Sequence, residues 1–268
     1  MLCYSALSSG AFALYLRLPE FWHVPYGVLV LLLVVSVLLW LYFGLARWVE
    51  QRTVTELAMP PGVRLLGAGT LLGMLCIHAL FAIYALLGLI GSVQFAPNWA
   101  VLGTLFICIL SAVAEELLMR GILLRVMEQW LGSGAAIGIS SLLFGLLHLN
   151  NPHATWFGAL AIAVEAGAML GAAYVVYRNL WLPIGVHFGW NLTQSLIYGA
   201  HDSGLDLKGL FTVPLRGSDW LTGGSFGPEA SIPAMAVGSC AALVLLALAA
   251  RRGQWQPLRW RLRLPQSA

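Results

Sequence analysis

Residues 99–118 read WAVLGTLFICILSAVAEELL, an apolar run that ends on two adjacent carboxylates, Glu115 and Glu116. About 20 apolar residues is the length a helix needs to cross a hydrocarbon layer of about 30 Å. The run is continuous rather than alternating, which favours a helix over a barrel strand, the only other structure that pairs its whole backbone inside lipid. Working outward, the same pattern recurs at Tyr26–Ala46, Leu65–Gly91, Gly134–Leu149 (short for a span), Trp156–Tyr177, Trp181–Tyr198 and Ile232–Ala250. The expected fold class is all-α, a polytopic transmembrane helical bundle of seven spans. Residues 1–25 are apolar but broken by Arg17, Pro19, Glu20 and Pro25, with no basic stretch ahead of them. They read as an interfacial segment or an eighth span rather than a cleaved leader.

Composition excludes a soluble globule. Charged residues make up 9% of the 268 and hydrophobic ones 60%, against roughly 25% charged in ordinary soluble domains. Lipid must therefore solvate much of the surface. The net charge of +3 comes from arginines between apolar runs, with Lys208 the single lysine, so no nucleic-acid footprint is present. Cys3, Cys76, Cys108 and Cys240 are scattered singly, which argues against a disulfide framework or a thiolate metal site. Short basic loops stay in the cytoplasm. Arg47, Arg52 and Arg64, then Arg120 and Arg125, then Arg178, then Arg251, Arg252, Arg259, Arg261 and Arg263 all fall on one side. The loop 199–231 on the other side holds every aspartate: Asp202, Asp206 and Asp219. This pattern predicts a cytoplasmic C-terminus. Residues 120–130 read as an amphipathic extension at the cytoplasmic interface, and Leu221 to Pro228 as a surface loop. The chain divides into 1–98, an N-terminal segment with two spans; 99–200, a core; 201–231, an extracytoplasmic loop; and 232–268, a last span with a basic tail.

Ionisable groups inside spans cost about 2.5 to 3.5 kcal/mol each on insertion scales, so each needs a partner or a task. Glu116 and Arg120, four apart, share a helical face and can pair. Glu115 points about 100° away and is free to face something else. Phe144 and His148 lie one turn apart, as do His187 and Asn191, and the latter pair can offer two donors to one oxygen. Taken singly, each reads as readily as helix-end charges or interhelical glue. As a set they bring a carboxylate, two imidazoles and an amide from three different spans. A desolvated carboxylate beside an imidazole can activate water. A second imidazole with an amide can stabilise a tetrahedral oxyanion. The expected chemistry is hydrolysis of a peptide or ester inside the membrane. Glu165, mid-span, either lines the same cavity or hydrogen-bonds across a close helix contact at Gly167 and Gly171. His78 reads as a structural interhelical donor, and His153 and His201 as solvated loop residues.

In these motifs, Glu115-Glu116-Leu-Leu-Met-Arg120, Phe144-Gly-Leu-Leu-His148 and His187-Phe-Gly-Trp-Asn191, the chain resembles the CPBP family of intramembrane endopeptidases, also called the Abi or type II CAAX-protease family. The family order EExxxR, FxxxH, HxxxN is kept over about residues 99 to 200. The resemblance implies that Glu115 and His148 activate the water and that His187 and Asn191 form the oxyanion hole. It gives Glu116, Arg120 and Phe144 a supporting role. It implies a metal-free glutamate-type protease in a bacterial inner membrane, the alternative being a zinc enzyme with Glu115, His148 and His187 as ligands. It implies a membrane-associated protein or peptide substrate, lipidated or carrying a C-terminal anchor. The rivals are a non-catalytic scaffold or immunity protein of the same fold, and a proton-coupled transporter using Glu165 and Glu115. A simple topology leaves one tension: Glu115 near the cytoplasmic end of its span and His148 about 14 residues into the next are on the order of 20 Å apart in depth.

Overall fold

Gly132 resolves that tension. Its backbone, at φ 73° and ψ 172°, lies in a region that residues with a Cβ essentially do not enter, and it turns the chain back on itself. Before it runs one long rod, α3 (Val101–Glu116), extended by a π-helical stretch (Leu117–Leu124) into the first turns of α4 (Arg125–Leu147). After it, the rest of α4 returns and ends in a 3₁₀ turn, His148–Asn150. Glu116 lies 16 residues before the pivot and His148 16 after it, so both arms bring them to one level, roughly 24 Å from the turn. Arg120 and Phe144 stand symmetrically, 12 residues either side, with the guanidinium 4.7 Å from the ring centroid.

The computed structural model describes residues 23–258. The N-terminal segment expected as interfacial or as an eighth span lies almost wholly outside these residues, as do Cys3, Arg259, Arg261 and Arg263. The remaining elements are α1 (His23–Gly44, continued by Leu45–Val49), α2 (Met59–Leu86), α5 (Trp156–Ile162), the π turn Ala163–Gly167, α6 (Ala168–Tyr177), α7 (Trp181–Asn191, continued by Leu192–Ile197), α8 (Asp219–Thr222) and α9 (Ile232–Arg251). The fold is all-α, with one two-stranded ribbon, β1 (Gln94–Phe95) paired antiparallel to β2 (Phe211–Thr212). Five helical stretches are long and apolar enough to cross a membrane; one of them, Val101–Asn150, is the hairpin bent at Gly132.

Residues 120–130 are not an interfacial strip with polar groups in water. Arg120 and Glu128 are buried, at 1% and 2% exposure, whereas Trp130 is 72% exposed. Two charged groups thus face inward while Val126 and Trp130 face outward, as lipid solvation favours. Glu128 pairs with Arg178 and accepts from Ser133 Oγ; Arg178 also donates to the Gln254 carbonyl. Ser133 N donates to the Gln256 carbonyl and Gln256 N to Ser133 Oγ, both at 2.9 Å. The segment after α9 is thereby tied over the hairpin tip. A Cβ at Gly132 would stand 2.6 Å from the Pro257 carbonyl oxygen. Gly132→Ala is therefore expected to cost about 1–3 kcal/mol through backbone strain alone. It should lower the unfolding midpoint in detergent; an unchanged midpoint would contradict the hairpin.

Leu221 to Pro228 is also not a solvated surface loop. Thr222, Gly223 and Phe226 to Ser231 are buried, and loop 199–231 folds back as a cap on the end opposite the arginines. Tyr84 hydroxyl meets Ser231 Oγ at 2.9 Å, and Thr104 Oγ1 donates to the Lys208 carbonyl at 2.7 Å. Glycines set the depth of the neighbouring helix pair. A Cβ on Gly69 or Gly73 of α2 would sit 2.3 or 2.2 Å from carbonyls of α7, and one on Gly185 or Gly189 of α7 would sit 2.3 or 2.1 Å from carbonyls of α2. Such small-residue contact lets two helix backbones touch, and it fixes the helix that bears His187 and Asn191.

Candidate active site

Three helical segments meet at the level set by Gly132. Glu116, fully buried, accepts on Oε1 from Arg120 Nη1 at 2.7 Å and from His187 Nδ1 at 3.0 Å. Arg120 Nη2 reaches the Gly167 carbonyl at 3.1 Å. That carbonyl is offered from within the π turn Ala163–Gly167, and such turns gather at functional sites because their extra residue frees a backbone group. Glu116 thus ties α3, α7 and the α5–α6 rod together.

Glu115 behaves differently. Its side chain is 33% exposed and makes no hydrogen bond to the described residues; its Oε2 lies 4.0 Å from His187 Nε2. The helical offset that separated its role from Glu116 in the sequence is present in space. No ion-pair contact joins Glu115 to His148, so the imidazole nearest this carboxylate is His187. His148 Nδ1 donates to the Phe144 carbonyl at 2.8 Å. A carbonyl only accepts, so in the neutral ring the lone pair falls on Nε2. The Phe144 ring stands edge-on to both imidazoles, 4.8 Å from His148 and 6.2 Å from His187, as the one-turn spacing suggested. Asn191 Nδ2 donates to Ser111 Oγ at 3.3 Å, leaving its second N–H uncommitted.

One cavity of about 30 Å³ is lined by His148, His187 and Asn191 together with Phe144, Glu165 and Trp190. That is room for a water molecule. Glu165, 1% exposed, lines this cavity rather than bonding across a helix contact. Gly167 packs instead on Ser141, and Gly171 on Ile137 and Leu124. His78 is not an interhelical donor: its Nδ1 bonds the Met74 carbonyl of its own helix at 2.7 Å while its ring rests edge-on to Tyr198. His153 is exposed, whereas His201, partly covered, bonds the Ser225 carbonyl at 2.8 Å. Cys76, Cys108 and Cys240 are free thiols. Glu115, His148 and His187 do not converge as a ligand set. Among the described residues no three His, Cys, Asp or Glu side chains are placed to hold a metal ion, and no step below runs through one.

Sequence reading missed the cap's contribution. Asp202 and Ser203 reach the cavity from the loop, and Glu229 from the turn before α9. Ser195 Oγ donates to Asp202 Oδ2 at 2.7 Å; Glu229 accepts from Gln194 Nε2 and the Ser203 amide. Loop residues carry no periodicity to betray their direction. Ser111, by contrast, lies four residues before Glu115, and helical spacing alone places it on the same face. Burial first, and the charge of Asp202 second, push the Glu229 carboxyl up to about 8 from its ordinary 4.5. Burial raises Asp202 as well, against the Ser195 hydrogen bond and the nearby His187. A carboxyl that holds its proton more tightly when folded adds stability that is complete below about 4.5 and lost as pH rises through about 8. Amides of 199–231 should therefore lose hydrogen-exchange protection between pH 5 and 9, after correction for intrinsic rates. Glu229→Gln should flatten that trend, and protection that rises with pH would contradict it.

No curated protein and no solved structure matches this chain. One family model does, described as Type II CAAX prenyl endopeptidase Rce1-like, over residues 97–193. The matched stretch begins just before α3 and ends just after Asn191, so it spans all three motifs and both arms of the Gly132 hairpin. The match of residues 97–193 to this model of a protease family agrees with the CPBP resemblance of the motifs.

Proposed function

We propose that this protein is an intramembrane endopeptidase that hydrolyses a peptide bond of a membrane-associated protein, with its arginine-rich end in the cytoplasm of a bacterial cell. The observation that carries this reading is a single cavity of about 30 Å³ lined by His148, His187 and Asn191, with Glu115 4.0 Å from His187 Nε2. Glu115 takes a proton from the attacking water, and the Nε2 lone pair of His148 orients that water and shares the proton. The water oxygen bonds to the carbonyl carbon, whose oxygen becomes negative and is met by the Nε2–H of His187, doubly protonated between Glu116 at Nδ1 and Glu115 beyond Nε2, and by the free Asn191 Nδ2–H. When the carbon–nitrogen bond breaks, the proton held by Glu115 passes to the leaving amine. Glu116 keeps the His187 ring oriented by accepting from Nδ1–H, and its charge offsets that of the imidazolium.

The substrate is a protein segment at the bilayer, lipidated or close to a C-terminal anchor. The test compares protein termini in membranes of cells expressing the wild-type chain and cells expressing Glu115→Gln. Termini that appear only with the wild type are expected; identical sets would overturn the proposal in favour of a scaffold. Chelation during cleavage by purified protein addresses the zinc alternative, with undiminished activity expected. Loss on chelation and recovery with zinc would replace the metal-free scheme.

A further inference from the structure

Three carboxyl side chains line the cavity. Asp202 and Glu229 come from the cap, and Glu165 from the π turn inside the bundle. All three are buried, at 7%, 3% and 1% exposure. His148 and His187 line the same cavity, so the acidic wall and these two imidazoles share one space. No lysine or arginine lines that space.

A second observation is independent of the acidic grouping. Glu165 Oε2, with no exposed surface, has no hydrogen-bond partner. A buried polar atom without a partner is costly, and the oxygen of an ionised carboxylate accepts. The missing group is therefore a donor. A positive group supplies the counter-charge that lets these buried carboxyls ionise, and one with no lone pair to repel them is, among common groups, an ammonium or a guanidinium. The space of about 30 Å³ is room for about two water-sized groups, the attacking water and an ammonium head, and not for a planar guanidinium beside that water.

We propose that Glu165, Asp202 and Glu229 form a substrate subsite for a primary ammonium, carried by the polypeptide next to the scissile bond. This deepens the protease reading above and rests on it for the words substrate and scissile bond, though the ammonium site itself does not. Two sources share the chemistry: a lysine Nζ, and the free α-amine of a chain cut near its N-terminus. Arginine is discriminated against by size and neutral side chains by the unpaired wall, since a site built to hydrogen-bond a group rejects analogues that lack it.

The experiment has a binding arm and a cleavage arm. In the first, the purified full chain in detergent is titrated with n-butylammonium, with n-butylguanidinium and tetramethylammonium as comparisons at equal ionic strength, and thermal unfolding is read. The first compound should raise the midpoint and the others should not. The shift should vanish in Glu165→Gln and in Asp202→Asn, each of which is checked for a wild-type helical signal. Equal shifts for all three compounds, or none with n-butylammonium, would overturn the subsite whether or not the protein is a protease. In the second arm, proteoliposomes are offered one membrane peptide in four forms: free lysine, Nε-acetyl-lysine, arginine, and lysine with the N-terminus acetylated. A preference of at least about tenfold for free lysine that survives N-terminal acetylation assigns the site to Nζ. A preference lost on that acetylation assigns it to the α-amine. Cleavage of all four forms at one rate would overturn the subsite. Absence of all cleavage alongside selective n-butylammonium binding would sink the protease reading and leave the ammonium site standing.

Discussion

Glu115→Gln is expected to lower peptide-bond cleavage by about 10²- to 10⁴-fold, the range a positioned general base supplies, while leaving the fold intact. The two halves of this expectation come from different features. Activity falls because the amide keeps the shape of the side chain and cannot take a proton from water. Stability holds because Glu115 is a third exposed and makes no hydrogen bond to the described residues, its 4.0 Å approach to His187 being its one ion-pair contact among them. Glu116→Gln is the informative contrast. It neutralises the carboxylate that faces Arg120 at 2.7 Å and His187 at 3.0 Å, so it should unfold the protein earlier as well as inactivate it. The measurement pairs turnover of a membrane peptide in proteoliposomes with thermal unfolding in detergent. Full turnover by Glu115→Gln would remove this carboxylate from the chemistry.

The apolar runs were legible because lipid demands length and continuity. Trp156–Tyr177 is helical to the residue named, and Ile232–Ala250 and Trp181–Tyr198 are each within one residue of their helical ends, since Asn179, Ser231 and Gly199 punctuate them. The spacing of four also placed Glu116 against Arg120 and Phe144 beside His148, because both pairs are local. What escaped was every feature that depends on a partner far along the chain. The third span was expected to stop near Leu118 because Arg120, Arg125 and Glu128 look like groups seeking water. Their partners are Glu116 and Gly167, Glu50, and Arg178, and only the first of these is near in sequence. With those charges satisfied internally, the rod runs on to Gly132, and the 20 Å mismatch in depth disappears. Asp202 and Glu229 escaped for a related reason: their direction is set by a cap whose backbone follows no period. The π turn at Ala163–Gly167 left no trace either, though Glu165 at its centre did, because a mid-span carboxylate is costly wherever it points.

Arg120→Ala is expected to be the most destabilising single change in the site, by about 3–5 kcal/mol, the cost of removing one partner from a buried ion pair. Three losses combine. Glu116 would keep only His187 as a donor, and its Oε2 already has no partner. The Gly167 carbonyl would lose the guanidinium that crosses to it at 3.1 Å, and with it the tie between α3 and the π turn that presents Glu165. Phe144, over which the guanidinium sits at 4.7 Å, would lose a packed face beside both imidazoles. Arg120→Lys separates these contributions. A lysine keeps the positive charge for Glu116 but has no planar fork to serve the carboxylate and the carbonyl together, so its cost should fall between wild type and alanine. The readout is the unfolding midpoint in detergent, with hydrogen exchange of the 163–167 amides as the local reporter. If arginine guards the tie, exchange there should rise in the order wild type, lysine, alanine. Equal midpoints for all three would mean that this buried pair does not hold the helices together.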